Sequence, residues 1–141
     1  MESTLEPGLM FEFKYDVPSN KTVPHLYPEA NEFQDMPDVF ATGYLVGLIE
    51  WACIDAIKPH INWPIEQSVG IYINVDHTAA TPPGFTVIVK GTLTKVEGRK
   101  LTFEIEAHDG LDTISKGTHQ RFLIDASRFD TSVAEKMGKK P

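Results

Sequence analysis

The sequence contains a single cysteine, Cys53, among 141 residues. That excludes an internal disulfide and argues against a cysteine-built zinc site, so no metal is expected. Positive charge is also scarce: 13 Lys and Arg stand against 20 Asp and Glu, a formal net charge of −7. A general nucleic-acid binder needs a basic face to neutralise phosphates, and no such partner is expected. A small anionic ligand is still admissible, because a few local cations suffice for it. Lys136, Lys139 and Lys140 look like a solvated tail rather than a binding patch. Long hydrophobic runs are missing too. The longest uncharged apolar stretch, Val39–Ile49, is too short to span a bilayer, and no membrane partner is expected. Met1–Gly8 carries two glutamates and no basic cluster, so a secretory signal is not expected and a cytoplasmic location is. The G-x-S-x-G, P-loop and G-x-G-x-x-G patterns are absent, which weakens hydrolase-fold, nucleotide and dinucleotide readings.

What is present is ordinary globular usage, 41% apolar and 23% charged, without repeats or low-complexity linkers. Residues 1–141 therefore read as one domain. Phe11, Phe13 and Tyr15 alternate with charged residues, the pattern of a half-buried strand. The polar, proline-rich segment 17–37 follows neither period. It is a candidate lid or a set of short helical turns, with Val23, Leu26, Tyr27, Phe33 and Met36 able to cover a pocket. Pro37-Asp38 opens a helix that runs to Ile57. Projected at about 100° per residue, its Leu45, Leu48, Ile49, Trp51, Ala52, Ile54 and Ile57 leave only a narrow polar sector, so the helix is expected to be buried. Gly43 and Gly47 would permit close approach of another backbone. A meander follows: Val69–Thr78, a turn at Thr81–Gly84, Phe85–Val96, Leu101–Ala107, a hairpin signal at Asp109-Gly110, and Thr113–Ile124. About 126–141 forms a C-terminal helix and tail. The fold class is α+β, an antiparallel sheet curled around a central helix.

Glu50 interrupts the apolar helix, between Leu48-Ile49 and Trp51-Ala52-Cys53. An unpaired buried carboxylate costs several kcal/mol, so Glu50 is either a paired structural residue or placed at a cavity for chemistry. Thr42 precedes it by eight residues, about 80° round the helix. A mid-helix threonine ordinarily bonds back to a carbonyl; near a helix N-terminus its hydroxyl can join free N–H groups around an oxyanion. His77 shares a strand face with Val69, Ile71, Ile73 and Val75, at the end of a core-facing row, where it is a satisfied core histidine or a general acid–base. Arg121, on the face of His119 and Leu123, is a surface arginine or an anion contact. His25, His60, His108 and His119 show no metal-ligand spacing, and Cys53 looks like a packed core residue.

Several motifs together carry a resemblance. Lys21-Thr22-Val23, His25–Glu29, Val39–Gly43, Val46–Leu48, Glu50–Cys53, His77–Gly84, Ala107–Gly110 and Gly117–His119 resemble, in order from about residue 11 to about 125, the fluoroacetyl-CoA thioesterase family. The resemblance implies a hotdog fold, a homodimer or higher oligomer with active sites near the subunit interface, and hydrolysis of a short-chain acyl-CoA. It implies a catalytic set at Thr42, Glu50 and His77, with Gly70 and Arg121 lining the site. No metal or organic cofactor is implied, coenzyme A being part of the substrate. One departure stands out: Met36 occupies a lid position where the fluoroacetyl-specific enzyme carries phenylalanine, and methionine is more adaptable in shape. The rivals are a hotdog enoyl-CoA hydratase or dehydratase using Asp76-His77, and a non-catalytic acyl-CoA-binding module.

Overall fold

In the computed structural model, which describes Met1–Pro141, the alternating rings Phe11, Phe13 and Tyr15 turn inward from β1 (Met10–Asp16). Four more strands follow the helical region: β2 (Glu66–Val75), β3 (Thr86–Glu97), β4 (Lys100–His108) and β5 (Thr113–Asp125). They form one antiparallel sheet in the order β1-β3-β4-β5-β2, which leaves β1 and β2 as free edges. The hairpin signal at Asp109-Gly110 is a real turn. Gly110 takes φ 92°, a left-handed conformation that penalises a Cβ, and the Asp109 carboxylate accepts from the N–H groups of Leu111 and Asp112.

Between β1 and β2 come two short helical turns (Ser19–Lys21 and Val23–His25), the one-turn helix α1 (Asn31–Gln34) and the long helix α2 (Thr42–Ile57). Leu45, Leu48, Ile49, Ala52, Cys53 and Ile57 of α2 are buried in one cluster with Val87, Val89, Leu93, Leu101, Phe103 and Ile105 of the sheet. Each large apolar side chain so buried contributes roughly 1.5–3 kcal/mol, which fixes the helix across the sheet. This is the α+β hotdog arrangement expected. Helix α3 (Ala126–Met137) closes the chain, its first turn capped by Asp125, whose carboxylate accepts from the Arg128 N–H. No helix is long and apolar enough to cross a membrane.

Four expectations are corrected. Helix α2 begins at Thr42, not at Pro37-Asp38, because the preceding backbone is already taken: Phe40 N–H donates to Thr81 O and Ala41 N–H to Lys21 O, and Phe40 bridges Thr22. The helix is not buried all round: Trp51 is 51% exposed, stacked obliquely on Phe13, and Gly47 faces open space. Gly43 admits the Leu26 side chain, at 3.0 Å from where a Cβ would sit, rather than another backbone.

The fourth correction concerns β2. It ends at Val75, so His77 lies beyond the strand, and a bulge at Ile71 shifts its phase. Residues directly opposite across a sheet share a face. Ser68 pairs with buried Leu123 and Gly70 with buried Arg121, whereas Val69 pairs with exposed Phe122. The inward row is therefore Ser68, Gly70, Ile73 and Val75, not Val69 and Ile71. A glycine inside a strand, here Gly70, is the sequence signal for such a bulge.

Candidate active site

Thr42 is the first residue of α2, with Ala41 as its cap in extended conformation. The first N–H groups of a helix have no intrahelical partner and sit at the positive end of its dipole. The Thr42 hydroxyl lies 2.7 Å from His77 Nδ1. His77 is held alongside β5 by its neighbours: Asp76 N–H donates to Lys116 O and Thr78 N–H to Ile114 O. Its Nε2 is buried without a hydrogen-bond partner. Burial lowers the imidazole pKa from its ordinary value, partly offset by the Asp76 charge, so the ring is neutral near pH 7. The pair opens on a cleft of about 250 Å³, also lined by Val23, Val39, Phe40 and Ala79.

A tie from outside the cleft steadies this pair. The Thr81 hydroxyl donates to the buried Asp109 carboxylate at 2.8 Å, and Thr81 O accepts from Phe40 N–H, two residues before Thr42. The β4–β5 turn is thereby coupled to both the segment carrying His77 and the start of α2.

Glu50 stands two turns further along α2, about 12 Å down the axis from Thr42. Its Oε1 accepts from Arg121 Nη1 at 3.0 Å, and its side chain keeps 40% of its exposure. Arg121, 3% exposed, also donates from Nε to Ser68 Oγ (2.7 Å) and from Nη2 to Ser68 O (2.9 Å), and its Nη1 lies 3.1 Å from His119 Nε2. A guanidinium has five N–H donors, so four are engaged inside the protein. A Cβ at Gly70 would come within 2.6 Å of Glu50 Oε1, so only glycine leaves the carboxylate in place. Val46, Gly70, Ile71, Tyr72, Ile73 and His119 complete a second cleft of about 310 Å³ around Glu50.

Within one protomer, then, Thr42 and His77 stand together, and Glu50, Gly70 and Arg121 stand together, in separate clefts. Of the other candidates, Val23 lines the first cleft and Leu26 packs on Gly43. Phe33 stacks on Tyr27 and Met36 is 49% exposed; neither lines either cleft. The residue-by-residue reading missed Ser68, His119 and the Thr81–Asp109 tie. His119 and Arg121, two apart on one strand face, were the available signal. Cys53 is fully buried, and burial pushes its thiol up to about 12, consistent with packing rather than nucleophilic duty. Asp76 spends its carboxylate on Lys116 N–H, not on His77, which removes the pair a hydratase would need. No group of three or more His, Cys, Asp or Glu is gathered as a metal site.

The family model described as fluoroacetyl-CoA-specific thioesterase matches residues 23–127, a span that includes both clefts. The chain belongs to this family. The fluoroacetyl-CoA thioesterase of Streptantibioticus cattleyicolor is 49% identical over 136 residues, covering 96% of this chain and 97% of that protein. A solved structure of a Thr-to-Ala variant of the fluoroacetyl-CoA thioesterase with fluoroacetate superposes with a TM-score of 0.91 at 48% identity, covering 97% of this chain and 100% of the other. A Phe-to-Ala variant of that enzyme, bound to fluoroacetate and CoA, gives a TM-score of 0.86 at 51% identity, covering 89% and 99%. The protein is thus a thioester hydrolase. The hydratase and binding-module readings are set aside.

Proposed function

We propose that this thioesterase hydrolyses a short-chain acyl-CoA, of the fluoroacetyl-CoA kind, to the carboxylate and free CoA, using Thr42, Glu50 and His77. The observation that carries the reading is the 2.7 Å Thr42–His77 contact at a helix N-terminus, in a chain 49% identical to a fluoroacetyl-CoA thioesterase. A thioester carbonyl seated at the start of α2 meets unpaired N–H donors suited to a developing oxyanion. Glu50 acts on the carbonyl carbon with the oxygen that Arg121 leaves free. His77 manages the proton delivered to the departing thiolate. Direct attack by Glu50 gives an anhydride that water opens; the alternative is Glu50 activating water. Single turnover in oxygen-18 water labels the Glu50 side chain only in the first case.

The working unit is a homodimer with composite sites. Ile71, Tyr72 and Ile73 lie 48%, 47% and 39% exposed on the free edge strand β2, an apolar row that favours cover by a second copy. A two-fold axis beside β2 would bring Glu50 of one protomer to the Thr42–His77 cleft of the other, joining the two groups that one protomer keeps apart. Mixing inactive Glu50→Gln and His77→Ala proteins decides it. Composite sites restore about a quarter of wild-type activity in statistical heterodimers, and sites within one protomer restore none.

Residues 17–37 act as the lid, and Met36 in it broadens the acyl groups admitted. No cofactor is required, the location is cytoplasmic, and activity survives dialysis against EDTA. Thiol release from acetyl-, fluoroacetyl-, propionyl- and a branched acyl-CoA tests the whole reading. Release should vanish in Glu50→Gln, and Met36→Phe should narrow the accepted panel. Tight binding of every ester without release would overturn it.

A further inference from the structure

Resting on that thioesterase reading, we infer that His119 is a positioning residue: as a neutral hydrogen-bond acceptor it fixes the Arg121 guanidinium that holds Glu50 at the site.

The two contacts of the imidazole dictate its protonation. Nδ1 lies 2.7 Å from the carbonyl oxygen of Tyr72, which can only accept, so Nδ1 carries the proton. Nε2 lies 3.1 Å from Arg121 Nη1, which can only donate, so Nε2 carries the lone pair. Only the neutral Nδ1–H tautomer satisfies both. A second proton would set N–H against N–H beside a guanidinium, in a place only 2% exposed. Burial also favours the uncharged ring.

The consequence falls on Arg121. Ser68 takes the Nε and Nη2 edge of the guanidinium through its hydroxyl and its carbonyl. His119 takes one Nη1 proton, and the remaining Nη1 proton points at Glu50 Oε1. Held on both sides, the guanidinium cannot swing. Gly70, with no Cβ, leaves the carboxylate room beside β2 to meet that donor. Neutral His119 further leaves the whole Arg121 charge to Glu50, without a second cation competing for it.

The test separates the two nitrogens. An asparagine can reproduce the Nδ1 donor to Tyr72 O but not the acceptor for Arg121; a glutamine can reach the Nε2 position but not the Nδ1 one. Thiol release is measured on the best acyl-CoA of the panel, with kcat and KM resolved and thermal unfolding followed in parallel. His119→Asn should lose kcat on the order of 10- to 100-fold, with KM close to wild type and an unfolding midpoint lowered no further than that of His119→Gln. His119→Gln should keep kcat within a few-fold of wild type. Wild-type kcat in His119→Asn overturns the inference, as does equal loss in both variants that tracks their loss of stability. Failure of the thioesterase reading would look different: the wild-type protein itself would release no thiol.

Discussion

The two halves of the candidate site are built in opposite ways. The Glu50 half stands on the middle of α2 and the paired strands β2 and β5, and its Arg121 and His119 are buried with their polar atoms matched. The Thr42 half stands on ends: the first residue of a helix and a residue two past the end of a strand. There the contact is a single hydroxyl–imidazole bond, with Nε2 of His77 left unpartnered. The first half is part of the folded core, so stability and function are entangled in it. The second is presented by the fold without holding it together.

The strongest way to break this contrast is Arg121→Leu set beside Thr42→Ala. The leucine strands Ser68 O and His119 Nε2 and removes the partner of Glu50. Because Glu50 is 40% exposed, its charge can still be hydrated, so the loss should be about 2–4 kcal/mol rather than that of a fully buried ion. Thr42 is not the cap residue of its helix, and its alanine variant should stay within about 0.5 kcal/mol of wild type while kcat falls at least about tenfold. Urea unfolding and steady-state thiol release on both variants measure this. Equal stability losses would end the distinction.

Asp109→Ala comes next. It removes the acceptor of the Thr81 hydroxyl and of two turn N–H groups, and should cost about 1–2 kcal/mol. If the Thr42 half depends on this tie, kcat should also drop several-fold. A variant that unfolds earlier yet turns over normally would show the tie to be structural alone.

The same contrast explains what the sequence could and could not disclose. Strands β1, β3, β4 and β5 were legible because inward and outward residues alternate over enough of each to show its period. Glu50 was legible because a carboxylate in an apolar helix stands out against its neighbours. The phase of β2 was not, since the bulge at Ile71 exists only in register with β5, and the start of α2 was not, since bonds from Lys21 and Thr81 decide it. Ser68 and His119 are unremarkable one by one; Ser68 becomes informative only beside Arg121, 53 residues away. Gly70 came through the resemblance, and the structure supplies its physical reason in the crowding of Glu50.

A smaller effect concerns pH. Burial lowers the pKa of both His77 and His119 in the fold, whereas the unfolded chain titrates them near about 6.5. Between the folded and unfolded values the unfolded chain binds more protons, so stability rises with pH there. The contribution is complete above about 6.5 and is lost as pH falls through the folded values. Wild-type protein should be measurably less stable to urea at pH 5 than at pH 7. His77→Gln and His119→Gln should each flatten that difference. A difference unchanged in both variants would assign the acid loss to carboxylates instead.

The smallest expected effect serves as the control. On the outer face of the sheet, Glu12, Lys90, Glu106 and Lys116 are direct cross-strand partners in turn, from β1 through β3 and β4 to β5, and all four are exposed. None of them lines either cleft. Lys90→Glu places three like charges in a row, which should lower the thermal midpoint by about 2–4 °C at low salt and less at high salt. Activity measured well below that midpoint should not change, because the inner-face residues opposite the helix stay where they are. A fall in kcat from this distant reversal would mean that the whole sheet, and not two local constructions on its inner face, sets the geometry of the site.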